Sequence, residues 1–145
     1  MMKNKKINLT ILLLVIGCSQ FAWGQSLPSH LGKACSNKTL KGEYLYYSTG
    51  IDNTGSSFAK AGADIYDGKG TVVGLTTING SSDYLPSKGT YHIKPNCTGT
   101  ATYGEGLNFN IFVARNGNSF TFVQTDTGFI SSGQVSRVSP TEPSR

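Results

Sequence analysis

Asp64 is the residue of this chain whose neighbours best equip it for chemistry. It lies in Gly62-x-Asp64-x-Tyr66, and in an extended segment positions 62, 64 and 66 share a side. A carboxyl group beside a phenol, next to a glycine that admits a neighbouring strand, can form a polar spot that acts as an acid or base. Tyr44 and Tyr46 recur at the same alternate spacing in Gly42-x-Tyr44-x-Tyr46-x-Ser48, where they could hydrogen-bond a ligand or fill a core. An unpaired buried carboxylate is costly, so Asp64 inside the protein needs a tyrosine or Lys60 as partner, a ligand, or a raised pKa.

The remaining candidates carry less. His92 shares a strand face with Thr90 and Lys94 and reads as an exposed residue with no identifiable partner for general-base work. Glu105 stands between Gly104 and Gly106 and reads as a turn residue. The sequence contains no GxSxG, HExxH, Walker or EF-hand motif, and its glycines sit at turns with no helix behind them. Neither His30 nor His92 has a second ligand at zinc-like spacing, and no CxxC occurs. No metal and no cofactor are expected.

The elements that must position Asp64 and the tyrosines are strands. From Leu40 onward short β-type runs alternate with Gly, Asn, Asp and Ser, and no stretch has helical periodicity. Eight strands are expected, near Leu40–Thr49, Phe58–Tyr66, Thr71–Ile78, Gly89–Lys94, Thr98–Tyr103, Leu107–Ala114, Ser119–Thr125 and Phe129–Val138. Asp67-Gly68-Lys69-Gly70 and Asn116-Gly117-Asn118 supply tight turns, while Asn79–Lys88, with Pro86, reads as a longer polar link. Connections this short make sequence neighbours antiparallel neighbours. The expected fold is therefore all-β, an up-and-down eight-stranded barrel over residues 40–138, with a two-sheet sandwich as the alternative.

Alternation assigns the faces. Tyr44, Tyr46, Leu107, Phe109, Ile111, Phe120 and Phe122 are expected inside. The second strand is ambiguous: Ala59, Ala61, Ala63 and Ile65 form one face, with Lys60, Gly62, Asp64 and Tyr66 on the other. Hydrophobicity alone would turn Asp64 to solvent.

Charge and cysteines bear on compartment. Of the 145 residues 14% are charged, and the formal charge is +5. Three of the lysines, Lys3, Lys5 and Lys6, precede the apolar run Ile7–Ile16, which resembles an export signal and is too short to span a bilayer. Cleavage after Gly24, at Ala22-Trp23-Gly24, would leave Gln25 first. Val15-Ile16-Gly17-Cys18 offers the alternative of a lipidated Cys18 anchored to the envelope. Without the leader 10 basic residues face 8 acidic ones, so a nucleic-acid partner is not expected. Cys35 and Cys97 then remain as an even pair, and a disulfide between them is expected in an oxidising exported setting. The organisation reads as signal 1–24, N-terminal segment 25–39, barrel 40–138 and a frayed tail 139–145.

The run Leu40-Lys41-Gly42-Glu43-Tyr44, then Gly62-x-x-x-Tyr66-Asp67-Gly68-Lys69-Gly70 with Gly74, Gly89-Thr90-Tyr91 and Cys97-Thr98-Gly99-Thr100, resembles a group of small exported bacterial proteins. Their pattern is similar to calycin-type barrels of the allene oxide cyclase kind and, more distantly, to lipocalins. The resemblance covers about Cys35 to Arg137. It implies that position 64 is interior, which would place a carboxylate inside the barrel beside Tyr66, and it carries over no cyclase catalytic residue. Three functions fit these features: a barrel binding a small, largely apolar ligand through Tyr44, Tyr46, Asp64 and Tyr66; a plugged structural or interaction module of the cell envelope; or a cofactor-free cyclase or isomerase using Asp64 as acid or base.

Overall fold

A computed structural model describes residues 34–104 and 106–138. The leader with Cys18, both cleavage points, Glu105 and the tail from residue 139 lie outside these residues. After a 3-10 turn at Asn37–Thr39 come β1 (Lys41–Ile51), β2 (Ser57–Asp67), β3 (Thr71–Ile78), β4 (Leu85–Ile93), β5 (Thr98–Tyr103), β6 (Leu107–Val113), β7 (Ser119–Gln124) and β8 (Ile130–Arg137). Each strand pairs antiparallel with its sequence neighbours, and β8 pairs back onto β1 to close an eight-stranded barrel. That closure excludes the sandwich. Among the described residues no helix is long and apolar enough to cross a membrane.

The hairpins follow from local chemistry. Asp67 Oδ1 accepts the backbone N–H groups of Lys69, Gly70 and Thr71 at 2.7–2.9 Å, which fixes the β2–β3 turn. Those bonds stabilise the charged carboxylate and hold its pKa down to about 2. Asp52 does the same for the β1–β2 turn through Thr54 and Ser56. These two carboxylates are turn staples.

Most strand ends fall within two residues of the sequence reading, and one departs further. β4 starts at Leu85 rather than Gly89, so the polar link shortens and Pro86 lies within a strand, opposite Leu75. The proline is tolerated because the β5 side pairs no further than Gly89 and the Lys88 carbonyl, leaving Leu85–Ser87 hydrogen-bonded on one side alone.

The two ends of the barrel are built differently. At the floor, Tyr44, Tyr66, Tyr91 and Phe120 meet edge to face or tilted, with ring centroids 5.1–6.1 Å apart. Each such pair is worth about 0.5–1.5 kcal/mol beyond its buried area. Leu40, fully buried, belongs to the same core. Tyr91 donates to its carbonyl at 2.9 Å, and Asn37 Oδ1 accepts from the Ile93 N–H at 2.8 Å. A disulfide joins Cys35 to Cys97 across 62 positions, tying the N-terminal segment to the start of β5.

Toward the opposite end the rings are spaced by glycines. Tyr46 pairs across strands with Gly62, and Phe122 with Gly133; a Cβ at either glycine would collide with the facing ring. Each ring takes up the space over its facing glycine, and the centre of the barrel stays open.

Candidate functional site

The open centre is a cavity of about 130 Å³. Tyr46, Tyr103, Phe109 and Phe122 form its wall, with Phe109 edge-to-face against both Tyr103 (5.9 Å) and Phe122 (5.4 Å). The floor rings Tyr66 and Phe120 close it below. At the end away from the floor the lining continues through the buried Ser48, Gln124 and Ser131 on β1, β7 and β8, and Lys60 also reaches it. Leu107 belongs to this lining too, yet 37% of its surface is exposed, contrary to the burial expected from alternation. It is the first residue of β6 and stands at the rim with no strand above it.

Asp64 faces inward and is 4% exposed, so the prediction from hydrophobicity alone is corrected. The alternative lining turns out: Ala59 and Ala61 are exposed and Ile65 is 55% exposed. The reason is size. Leaving alanines in water forfeits little, whereas the face carrying Asp64 also carries Tyr66, whose large ring completes the floor, and Gly62, which makes room for Tyr46.

Two hydroxyls hold the carboxylate. Tyr103 donates to Oδ2 at 2.8 Å and Ser87 to Oδ1 at 3.2 Å. The Tyr66 and Tyr103 hydroxyls are 2.6 Å apart, and since the Tyr103 proton is committed to Asp64, Tyr66 is the donor. A chain Tyr66→Tyr103→Asp64 thus runs from the floor to the cavity wall. Burial raises the Asp64 pKa, and the bonds from Tyr103 and Ser87 oppose that rise. Burial also lifts Tyr66 and Tyr103 well above the ordinary phenol range, reinforced by the nearby Asp64 charge.

The two tyrosines of β1 separate. Tyr46 lines the cavity; burial raises its pKa, partly offset by the adjacent Thr76 hydroxyl. That contact falls short of hydrogen-bond geometry for Thr76 Oγ1, a buried oxygen in the cavity wall that has no partner. Tyr44, although opposite Asp64 in register, belongs to the floor: it donates to the Gly117 carbonyl at 2.6 Å and accepts from Arg137 Nε and Nη2 at 3.0 and 2.7 Å.

No family model, curated protein or solved structure matches this chain.

Of the residues singled out from sequence, Tyr46, Asp64 and Tyr66 meet at the cavity, and Tyr44 lies in the floor beneath it. Lys60 is a wall residue but not a partner of Asp64; its ammonium stands 4.7 Å above the Phe58 ring. His92 is exposed on the outer face. No cluster of metal-ligating side chains occurs among the described residues. Sequence reasoning missed Tyr103, Ser87 and Thr76. A signal for Tyr103 was present: alternation with Gly99 and Ala101 places it inside, directly opposite Gly89.

Proposed function

We propose that this protein binds a small, largely apolar molecule in the barrel cavity. The observation that carries this is an aromatic-walled space left empty above a tightly packed floor. Small eight-stranded barrels can be filled entirely by their own side chains, and a plugged structural module would have no need to stack Tyr46 and Phe122 over glycines. A partnerless hydroxyl at Thr76 and a carboxylate with spare acceptor capacity at Asp64 supply the few polar contacts that orient a ligand in such a pocket. The Cys35–Cys97 bridge suits an exported, oxidising setting, periplasmic or secreted, in line with the signal-like leader. Native mass spectrometry of protein recovered from its own compartment tests this: a small-molecule adduct lost on denaturation is expected, and an empty protein that also takes up no toluene-sized probe would contradict it.

The Tyr66→Tyr103→Asp64 chain favours one second reading, cofactor-free acid–base catalysis of the cyclase or isomerase type that the resemblance implies. In it Asp64 takes a proton from one atom of a substrate held against the aromatic wall and returns it at another, and the Tyr103 hydroxyl donates to the carboxylate while it is charged. The two readings share a site and differ in whether the ligand leaves unchanged.

A further inference from the structure

Asp64 is a buried carboxylate whose partners are all hydroxyls. Tyr103 and Ser87 provide its hydrogen bonds, and among the described residues no lysine, arginine or histidine forms an ion pair with it. The cations that share the interior face are occupied elsewhere. Arg137 is spent on the Tyr44 hydroxyl and the Thr39 carbonyl in the floor. Lys60 lies four residues along β2, about 13 Å away at the usual strand rise, with its ammonium over the Phe58 ring. A carboxylate accepts about four hydrogen bonds, so two acceptor positions remain, and Asp64 lines the cavity.

What surrounds that cavity is suited to positive charge. Tyr46, Tyr103, Phe109 and Phe122 present aromatic surface to it, and the face of an aromatic ring attracts a cation. A neutral guest would leave the carboxylate desolvated without a counter-charge, or drive it to take up a proton. A guest ammonium would supply the missing charge and fill the free acceptor positions. The volume limits its body: about 130 Å³ is close to the engineered cavity of about 150 Å³ that takes up benzene.

We infer that the ligand is a small organic cation, a protonated primary or secondary amine on a body about the size of one aromatic ring, which donates its N–H groups to Asp64. This rests on the cavity-binding proposal and narrows its ligand class. The amine points inward and the ring lies against Phe109 and Phe122, while the Lys60 ammonium stays over the Phe58 ring, four residues along β2 from Asp64.

The test compares benzylamine with benzyl alcohol, nearly equal in size and different in charge, by NMR titration of the oxidised full-length protein at neutral pH. Wild type is expected to bind benzylamine about ten- to a hundredfold more tightly, the range of a charge-assisted hydrogen bond in a desolvated site. Asp64→Asn should abolish that preference, weakening benzylamine far more than benzyl alcohol. Equal affinities in wild type, with both compounds in the cavity, overturn the amine assignment and leave the apolar cup standing. Preference that survives in Asp64→Asn also overturns it, because another group would then be reading the charge. Failure of both compounds and of toluene to bind overturns the cup itself. If the Asn variant does not fold, the wild-type comparison decides alone.

Discussion

Asp64 on β2 and Gly74 on β3 are direct cross-strand partners, and a Cβ at position 74 would stand in the space of the Asp64 carboxylate and the Ala63 carbonyl. The glycine is therefore part of the site: it lets the carboxylate lie flat toward Ser87 on the next strand.

Gly74→Ala is expected to destabilise the protein by about 1–3 kcal/mol, the usual cost of forcing a methyl into a filled space. Urea unfolding measures it. Asp64→Ala in the Gly74→Ala background should recover part of the loss, because one of the two collisions disappears. Full wild-type stability in Gly74→Ala would mean that the strands are further apart than described.

Asp64 should also leave a mark on the pH dependence of stability. Burial raises its folded pKa above the ordinary 3.8. Its favourable contribution is therefore fully present below the unfolded value and is lost as pH rises through the folded one. Asp52, Asp67 and Asp126 have lowered values and act in the opposite direction, contributing above the unfolded pKa and losing that contribution on acidification. These three are common to wild type and Asp64→Asn, so the difference between the two proteins isolates Asp64. The Asn variant should gain on wild type as pH climbs from acid toward neutral. Parallel stability profiles would place Asp64 in solvent.

Much of this architecture is legible in the sequence because strand alternation and turn chemistry are local. Asp67-Gly68-Lys69-Gly70 alone sets the β2–β3 register, and with it the inward side of Tyr66 and Asp64. What is not legible depends on contacts across the barrel. The start of β4 was hidden by Pro86, whose tolerance comes from β5 ending its pairing at Gly89. The 3-10 turn at Asn37–Thr39 forms against Lys69 and Ile93, both distant in sequence. Tyr103 reaches Asp64 across 39 positions, a meeting that only barrel closure creates. The roles of Tyr44 and Tyr46, two residues apart on one face, diverge for the same reason: one meets Arg137 and Gly117, the other empty space.

That divergence is measurable. Tyr44→Phe leaves the Gly117 carbonyl without a donor and removes an acceptor from Arg137, and should cost about 1–3 kcal/mol with ligand binding unchanged. Tyr46→Phe removes no well-formed hydrogen bond and should alter stability by less than about 1 kcal/mol while changing affinity. The reverse pattern would exchange floor and cavity wall.

Replacing Cys35 and Cys97 by serine should lower stability by about 4 kcal/mol, the chain-entropy value for a loop of this length. Guanidinium unfolding reads the loss directly. The bridge fastens the floor, so whatever fraction remains folded should keep its ligand affinity; lost binding in a folded double-serine protein would show that the N-terminal segment shapes the cavity.

The central claim is that the space above the floor receives a ligand, and aromatic side-chain resonances followed by NMR during titration with toluene-sized compounds test it most directly. Saturable shifts confined to the lining rings Tyr46, Tyr66, Tyr103, Phe109, Phe120 and Phe122 are predicted, with the floor residue Tyr91 and the outward-facing Tyr47 unmoved. No shift up to the solubility limit, or shifts centred on Tyr47 and the exposed Tyr84, would contradict it.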